Sequence, residues 1–135
     1  MDIKDFTELN KVKKTINTFF EGLDQLNHER IYEVFHPNAK SYNLSKDGRL
    51  YVKNAKRWKN YCINIKKSLK DPNNRKVSGS IEKIDLVKNI AMVKALLRIE
   101  FPTGAIDFID FFQLMKIKDK WMIVSNAYHG ELIKT

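Results

Sequence analysis

The sequence predicts an α+β fold, with helices first and an antiparallel sheet after them. Two patterns carry that expectation. Apolar residues recur at helical spacing through much of the first half, and strand-like runs separated by short turns fill the second half. A third observation adds a constraint: the last two strands are apolar on both faces, so both faces of the sheet need cover.

Leu9, Val12, Ile16, Phe19, Phe20 and Leu23 form one stripe, which predicts a helix over about 6–23. Gly22 weakens its last turn and is placed to help end it. Asn27 is a good N-cap for a second, shorter helix that buries Ile31, Val34 and Phe35, with Leu26 stapled onto Ile31. Pro37 ends that helix, because the residue before a proline, His36, is pushed out of the helical region. Residues 39–52 read as a hairpin turning at Asp47-Gly48. Asn54 caps a third helix reaching about Leu69, with Trp58, Tyr61, Cys62, Ile65 and Leu69 on one stripe and lysines opposite. Asp71-Pro72-Asn73-Asn74 breaks it.

Strands follow over 77–87 and 90–101, with turns at Lys88-Asn89 and Pro102-Thr103-Gly104. Residues 106–129 supply two more, joined at Lys118-Asp119-Lys120 and completing a four-stranded meander. Ile109, Phe111, Met115 and Ile117 share one face of this stretch; Phe108, Phe112 and Leu114 share the other. Helices are expected over the concave face and a second copy of the chain, in a homodimer, over the opposite one.

Composition narrows the class. At 135 residues and 43% hydrophobic, the chain is sized for one domain, 1–135, with its own core. Cys62 is the single cysteine, which rules out an intramolecular disulfide. The first residues lack the apolar core of a signal peptide, and no run approaches the ~20 apolar residues of a membrane helix. Both absences lead to the expectation of a cytoplasmic protein with no membrane span. The formal charge of +9 is concentrated: residues 53–76 hold nine basic residues and one acid, Asp71, a net of +8. Without an aromatic platform in that segment, it reads as a solvated helix face, and nucleic acid is not an expected partner.

Three stretches then carry a resemblance: FFEGL at 19–23, FHPNA at 35–39, and IDFFQLMKIKDKWMIVSNAYH at 109–129. Together they resemble the nuclear transport factor 2-like superfamily, and within it the SnoaL-like and "putative lumazine-binding" groups. The resemblance spans nearly the whole chain, and its motifs are mostly structural. It implies a cone-shaped (cystatin-like) roll, with N-terminal helices packed on a curved, mostly antiparallel sheet. The open end of such a cone holds a largely apolar pocket. Known members include isomerases, dehydratases, epoxide hydrolases, polyketide cyclases and plain binding proteins.

The resemblance allows one mechanism to be tested on the residues. Ketosteroid isomerase uses a carboxylate base, with a tyrosine and a protonated aspartic acid as oxyanion donors. Aligned without gaps over 17–43, this chain has Phe19 at the tyrosine position and Asn43 at the base position. Phenylalanine has no hydroxyl to donate, and asparagine takes no proton at neutral pH. Only Asp110, in Ile109-Asp110-Phe111, matches its counterpart.

Two readings of function follow. In the first, the chain binds a small, largely apolar molecule in the cone, with Phe19, Trp58, Tyr61, Phe112, Asn126 and Tyr128 as pocket residues. In the second, it is a small acid–base enzyme of dehydratase, isomerase or polyketide-cyclase type, using Asp110 with His36 or Tyr42. Asp110 facing the pocket would be desolvated by its phenylalanine neighbours; facing outward, it would pair across the dimer. His129, Asp107 and the hydroxyl of Tyr32 are weaker candidates. With histidines only at 28, 36 and 129 and no cysteine cluster, no metal site is expected. The chain has no Gly-x-Gly-x-x-Gly, P-loop or Gly-x-Ser-x-Gly motif, and no cofactor is expected.

Overall fold

The computed structural model describes residues 3–69, 71 and 74–134. Helix α1 (Ile3–Gln25) turns Val12, Ile16, Phe19, Phe20 and Leu23 to the core. It ends differently from the sequence expectation. Gly22 lies inside the helix, where a Cβ would stand 2.6 Å from Ile31 Cγ1. Its missing side chain lets the next helix approach. The stop is made by Leu26, left-handed at φ 52. Its N–H bonds the Leu23 carbonyl at 3.3 Å, and the Asn27 N–H bonds the Gly22 carbonyl at 2.9 Å. That pair of bonds is a Schellman motif. A left-handed leucine costs about 1 kcal/mol, and complete burial of its side chain offsets the strain.

Asn27 caps α2 (His28–Tyr32) through its side-chain oxygen, which accepts from the Arg30 N–H at 3.2 Å. This helix is a single turn. Strand β1 (Phe35–Leu44) begins well before residue 39, because Phe35 pairs with Ile123 and Val34 accepts the Ile123 N–H at 2.8 Å. His36 and Pro37 therefore belong to a strand, not to a helix end. The hairpin to β2 (Leu50–Asn54) turns at Asp47-Gly48, with Gly48 at φ 82 and the Ser45 hydroxyl bonded to the Asp47 carboxylate. Helix α3 (Arg57–Ser68) starts later than the Asn54 cap predicts. The Asn54 oxygen accepts from the Lys56 N–H at 3.1 Å, which makes a turn ahead of the helix.

Strands β3 (Lys76–Val87), β4 (Ile90–Phe101), β5 (Gly104–Ile117) and β6 (Lys120–Lys134) form the predicted meander. The β5–β6 turn uses Lys118 and Asp119 at φ 49 and 66, two left-handed residues whose twist suits a tight hairpin. The β1–β2 hairpin joins the same sheet, since β1 runs parallel to β6; the order is β2-β1-β6-β5-β4-β3. The sequence does not announce this parallel contact, because it joins strands far apart in the chain.

The helices lie on the inner face. Phe20 of α1 rests on Gly79 of β3, where any Cβ would overlap its ring. Thr15 of α1 donates to the Trp121 carbonyl of β6 at 3.3 Å. Glu8 fastens the start of α1 to the β5–β6 end, accepting from Lys116 Nζ at 2.8 Å and Trp121 Nε1 at 2.6 Å. Those two bonds hold its carboxyl down at about 2. Among the described residues, no helix is long and apolar enough to cross a membrane.

Candidate functional site

Alternation along β5 decides where Asp110 goes. Phe112 and Leu114 are fully buried on the inner face, and Asp110 shares their parity, with 5% of its surface exposed. Ile109, Phe111 and Met115 point to the other side. Directly across from Asp110 stand Ala95 on β4 and Tyr128 on β6. Ala95 is small and leaves room beside the carboxyl; Tyr128 brings a hydroxyl to the same face.

Strand β6 reaches this arrangement through a bulge. Gln113 pairs with Ser125 and Leu114 with Ile123, so Val124 is the extra residue. A bulge resets the in–out alternation of its strand. Trp121 and Ile123 therefore face inward before it, and Asn126 and Tyr128 face inward after it. Without the extra residue the strand would turn Asn126 and Tyr128 to the outside.

A cavity of about 190 Å³ opens between this part of the sheet and α3. Phe19, Trp58, Tyr61, Leu97 and Phe108 supply its apolar wall. Asp110, Asn126, Tyr128, Lys53 and Arg57 supply its polar groups. Asn126 Nδ2 donates to Asp110 Oδ1 at 3.0 Å, and Ser41 Oγ donates to Asn126 Oδ1 at 2.5 Å. Lys53 Nζ donates to the Tyr128 hydroxyl at 3.0 Å. The Arg57 guanidinium stacks 4.0 Å from the Trp58 ring centroid and 5.6 Å from that of Tyr128. Burial pushes the Asp110 carboxyl up to about 6, against the opposing pulls of the Asn126 hydrogen bond and the Arg57 charge. Burial likewise lowers the Arg57 guanidinium from its usual value. A carboxyl in this range can hold or release a proton near neutral pH, and the surrounding donors can support charge on a bound oxygen.

Of the residues expected in the pocket, Phe19, Trp58, Tyr61, Asn126 and Tyr128 line the cavity together with Asp110. Phe112 lies beneath it, fully buried with its ring centroid 5.6 Å from that of Phe19. Tyr42 is on the opposite side of the sheet. The inward Ser41 precedes it, and Tyr42 itself lines an outer groove with Met92 and Phe111. His36 sits five residues before Ser41 on β1, roughly 15 Å along a strand. Its Nδ1 accepts from the Asn38 N–H at 3.1 Å. Neither Tyr42 nor His36 is brought to Asp110.

The weaker candidates have other partners. Asp107 is held by Arg98 through bonds of 2.6 and 2.7 Å, and His129 contacts Glu131 at 3.1 Å on the surface. The Tyr32 hydroxyl donates to the Lys56 carbonyl at 3.0 Å and accepts from the Lys59 N–H at 3.2 Å. Ser41, Lys53 and Arg57 are the residues that sequence reasoning missed. The signal for two of them was the basic segment 53–76, in which Lys53 and Arg57 turn to the cavity while Lys56 between them stays in solvent.

Comparison with known proteins places the chain in a family. The chain is 26% identical over 126 residues to the aldolase FrzH of Cladobotryum sp, covering 92% of each protein. An NTF2-like protein of unknown function from Shewanella baltica OS155 superimposes with a TM-score of 0.73 at 20% identity, over 93% of this chain and 95% of that one. A "Putative Scytalone Dehydratase" from Novosphingobium aromaticivorans gives 0.76 at 16% identity, over 97% of this chain and 89% of that one. These structures share the NTF2-like, cystatin-like fold. Residues 7–129 match the family described as "Putative lumazine-binding", so nearly the whole chain takes part in the match, and the protein belongs to that family.

Proposed function

We propose that this protein binds one small, largely apolar molecule in the cavity between α3 and the inner face of the sheet. The observation that carries this reading is the combination of an aromatic wall with one buried, hydrogen-bonded carboxyl, Asp110. Small-molecule sites have this make-up: mostly apolar, with a few placed polar groups that fix orientation. The family description points the same way. Native mass spectrometry of freshly purified protein tests it, with denaturing extraction to identify any retained molecule. A bound small molecule that is lost from Trp58→Ala supports the reading. Failure of any aromatic probe to bind the folded protein sinks it.

A second copy of the chain belongs to the same proposal. Met92, Leu96, Ile109, Phe111 and Met115 stand exposed on the outer face while the helices cover the inner one. Exposed apolar residues gathered on one sheet face, with Lys94 among them, are a surface that oligomers bury.

One observation favours a second reading, acid–base catalysis. Asp110 carries a carboxyl near 6 directly opposite a tyrosine whose hydroxyl is bonded to a lysine. In this reading Asp110 takes a proton from carbon beside a carbonyl, and Tyr128 with Lys53 hydrogen-bonds the enolate oxygen. The similarity to a protein named as an aldolase adds to it. Tyr128 takes the partner role assigned on sequence grounds to His36 or Tyr42. Asp110→Asn separates the two readings: it abolishes turnover if Asp110 is the base, and leaves affinity nearly intact if the site only binds.

A further inference from the structure

The cavity contains more positive than negative charge. Asp110 is its one carboxyl, whereas Lys53 and Arg57 both line it. A third cation lies one layer behind. Arg75 has 5% of its surface exposed; it donates to the Leu23 carbonyl at 2.9 Å and to the Tyr61 hydroxyl at 3.3 Å, and Leu23 and Tyr61 both line the cavity. Among the described residues, none of these three cations has a carboxylate within the 4 Å of an ion pair. The buried Nε atoms of Arg57 and Arg75 also lack a hydrogen-bond acceptor.

Lys53 and Arg57 are half-buried in the cavity wall, and the one carboxyl whose charge Arg57 meets there is Asp110, so the cavity keeps a surplus of positive charge that an anionic group would balance. The stacking of Arg57 says which part of it is available. Its guanidinium carbon lies 4.0 Å over the indole of Trp58, a cation–π contact that leaves its N–H donors for a hydrogen-bond acceptor. Lys53 Nζ lies 5.8 Å from the Tyr128 ring centroid and the Arg57 guanidinium 5.6 Å, so both cations adjoin Tyr128. The rings of Trp58, Tyr61, Phe108 and Tyr128 form the remainder of the wall.

We infer that the ligand is an organic anion: a flat, conjugated body held among these rings, with its carboxylate or enolate oxygen at the Arg57–Lys53 edge. This inference rests on the reading of the cavity as a small-molecule site and adds the charge of the molecule. It also separates the roles of the basic segment 53–76. Its first two inward members serve the cavity, while Lys56, Lys59, Lys66 and Lys67 stay in solvent.

The test uses two probes of equal size and opposite charge state, 2-naphthoate and 2-naphthamide. Binding to the full-length protein is followed by calorimetry, with circular dichroism to verify that each variant is folded. Expected is a preference for the carboxylate of about tenfold or more, the worth of a charge-assisted hydrogen bond. Arg57→Gln should reduce that preference to about twofold, and Lys53→Met, which leaves α3 intact, should reduce it independently. Equal affinity for both probes overturns the anion inference and leaves the small-molecule reading standing. A preference that survives both substitutions places the anion elsewhere and overturns it too. If neither probe binds, the small-molecule reading itself has failed, and the inference falls with it.

Discussion

Asn126 lies between Asp110 and Ser41, donating to the carboxyl at 3.0 Å while its own oxygen accepts from the serine hydroxyl at 2.5 Å. The ionised carboxylate fixes which way the amide points, because it only accepts and so takes the Nδ2 donor, leaving the amide oxygen for the serine hydroxyl. The amide nitrogen is therefore committed to one oxygen of Asp110. The chain Ser41–Asn126–Asp110 links β1, β6 and β5, so the parallel β1–β6 contact contributes directly to the site.

Asn126→Ala removes the donor. Asp110 then loses an interaction that favours its charged form, and its pKa should rise above about 6. Stability should fall by about 1–3 kcal/mol, since a buried carboxyl and a buried hydroxyl both lose a partner. Carbon-detected NMR titration of the Asp110 carboxyl and urea denaturation measure the two effects. A carboxyl that titrates at or below the wild-type value contradicts the assignment.

Asp110 itself should make stability depend on pH. Its pKa is 3.8 as an ordinary aspartate and about 6 in the fold, so between these values the folded state keeps a proton that the unfolded state has lost. Folding stability therefore falls as pH rises through this window and levels off above it. The charged groups facing Asp110 are Arg57 of α3 and Lys53 of β2. The destabilisation at pH 7 is of the order of 3 kcal/mol by linkage, less to the extent that solvent reaches the group. Asp110→Asn keeps the oxygen that Asn126 bonds and removes the charge. It should raise the urea midpoint at pH 7.5 and flatten the pH dependence between pH 4 and 6. A midpoint unchanged at pH 7.5 would show that the carboxylate is solvated.

These residues also show what the sequence could and could not say. Each strand of the meander was legible because short turns bound it and apolar residues fill it. The face taken by Asp110 was not legible, since both faces of β5 are apolar and alternation cannot tell them apart. Burial decides it only once α1 is seen to cover the side with Phe112. Tyr42 was misplaced for a related reason. Parity on β1 follows from its pairing with β6, and Ser41, not Tyr42, is the residue that faces Asn126. The Val124 bulge was invisible because nothing in Met122-Ile123-Val124-Ser125 marks an extra residue. Arg57 and Lys53 were read as surface charge, and only the position of α3 over the sheet reveals that they turn inward.

The outer face gives a prediction that does not depend on the pocket. Phe111, 45% exposed, is flanked across the sheet by Lys94 of β4 and Ala127 of β6. If a second copy covers this face, Phe111→Glu places a charge in an apolar interface on both sides at once. Sedimentation equilibrium should then show monomer for the variant and dimer for the parent, with unfolding of the variant becoming independent of protein concentration. A parent that sediments as a monomer at 100 µM removes the proposed partner.

Gly130 offers a way to alter the cavity without touching a polar group. It lies on the inner face of β6 opposite Phe108, and a Cβ there would stand 2.7 Å from Phe108 Cε1. Phe108 lines the cavity, and its ring centroid is 6.1 Å from that of Tyr128. Gly130→Ala must therefore displace the ring that packs beside Tyr128 and reshape the wall. Overpacking of this kind costs about 1–3 kcal/mol in stability. Its effect on affinity should be larger for wide ligands than for narrow ones, because the wall moves while Asp110, Arg57 and Lys53 stay in place. Comparing benzoate with 2-naphthoate on the parent and on Gly130→Ala measures this directly. A fold-loss equal for both ligands would mean that Phe108 does not form the wall a ligand touches.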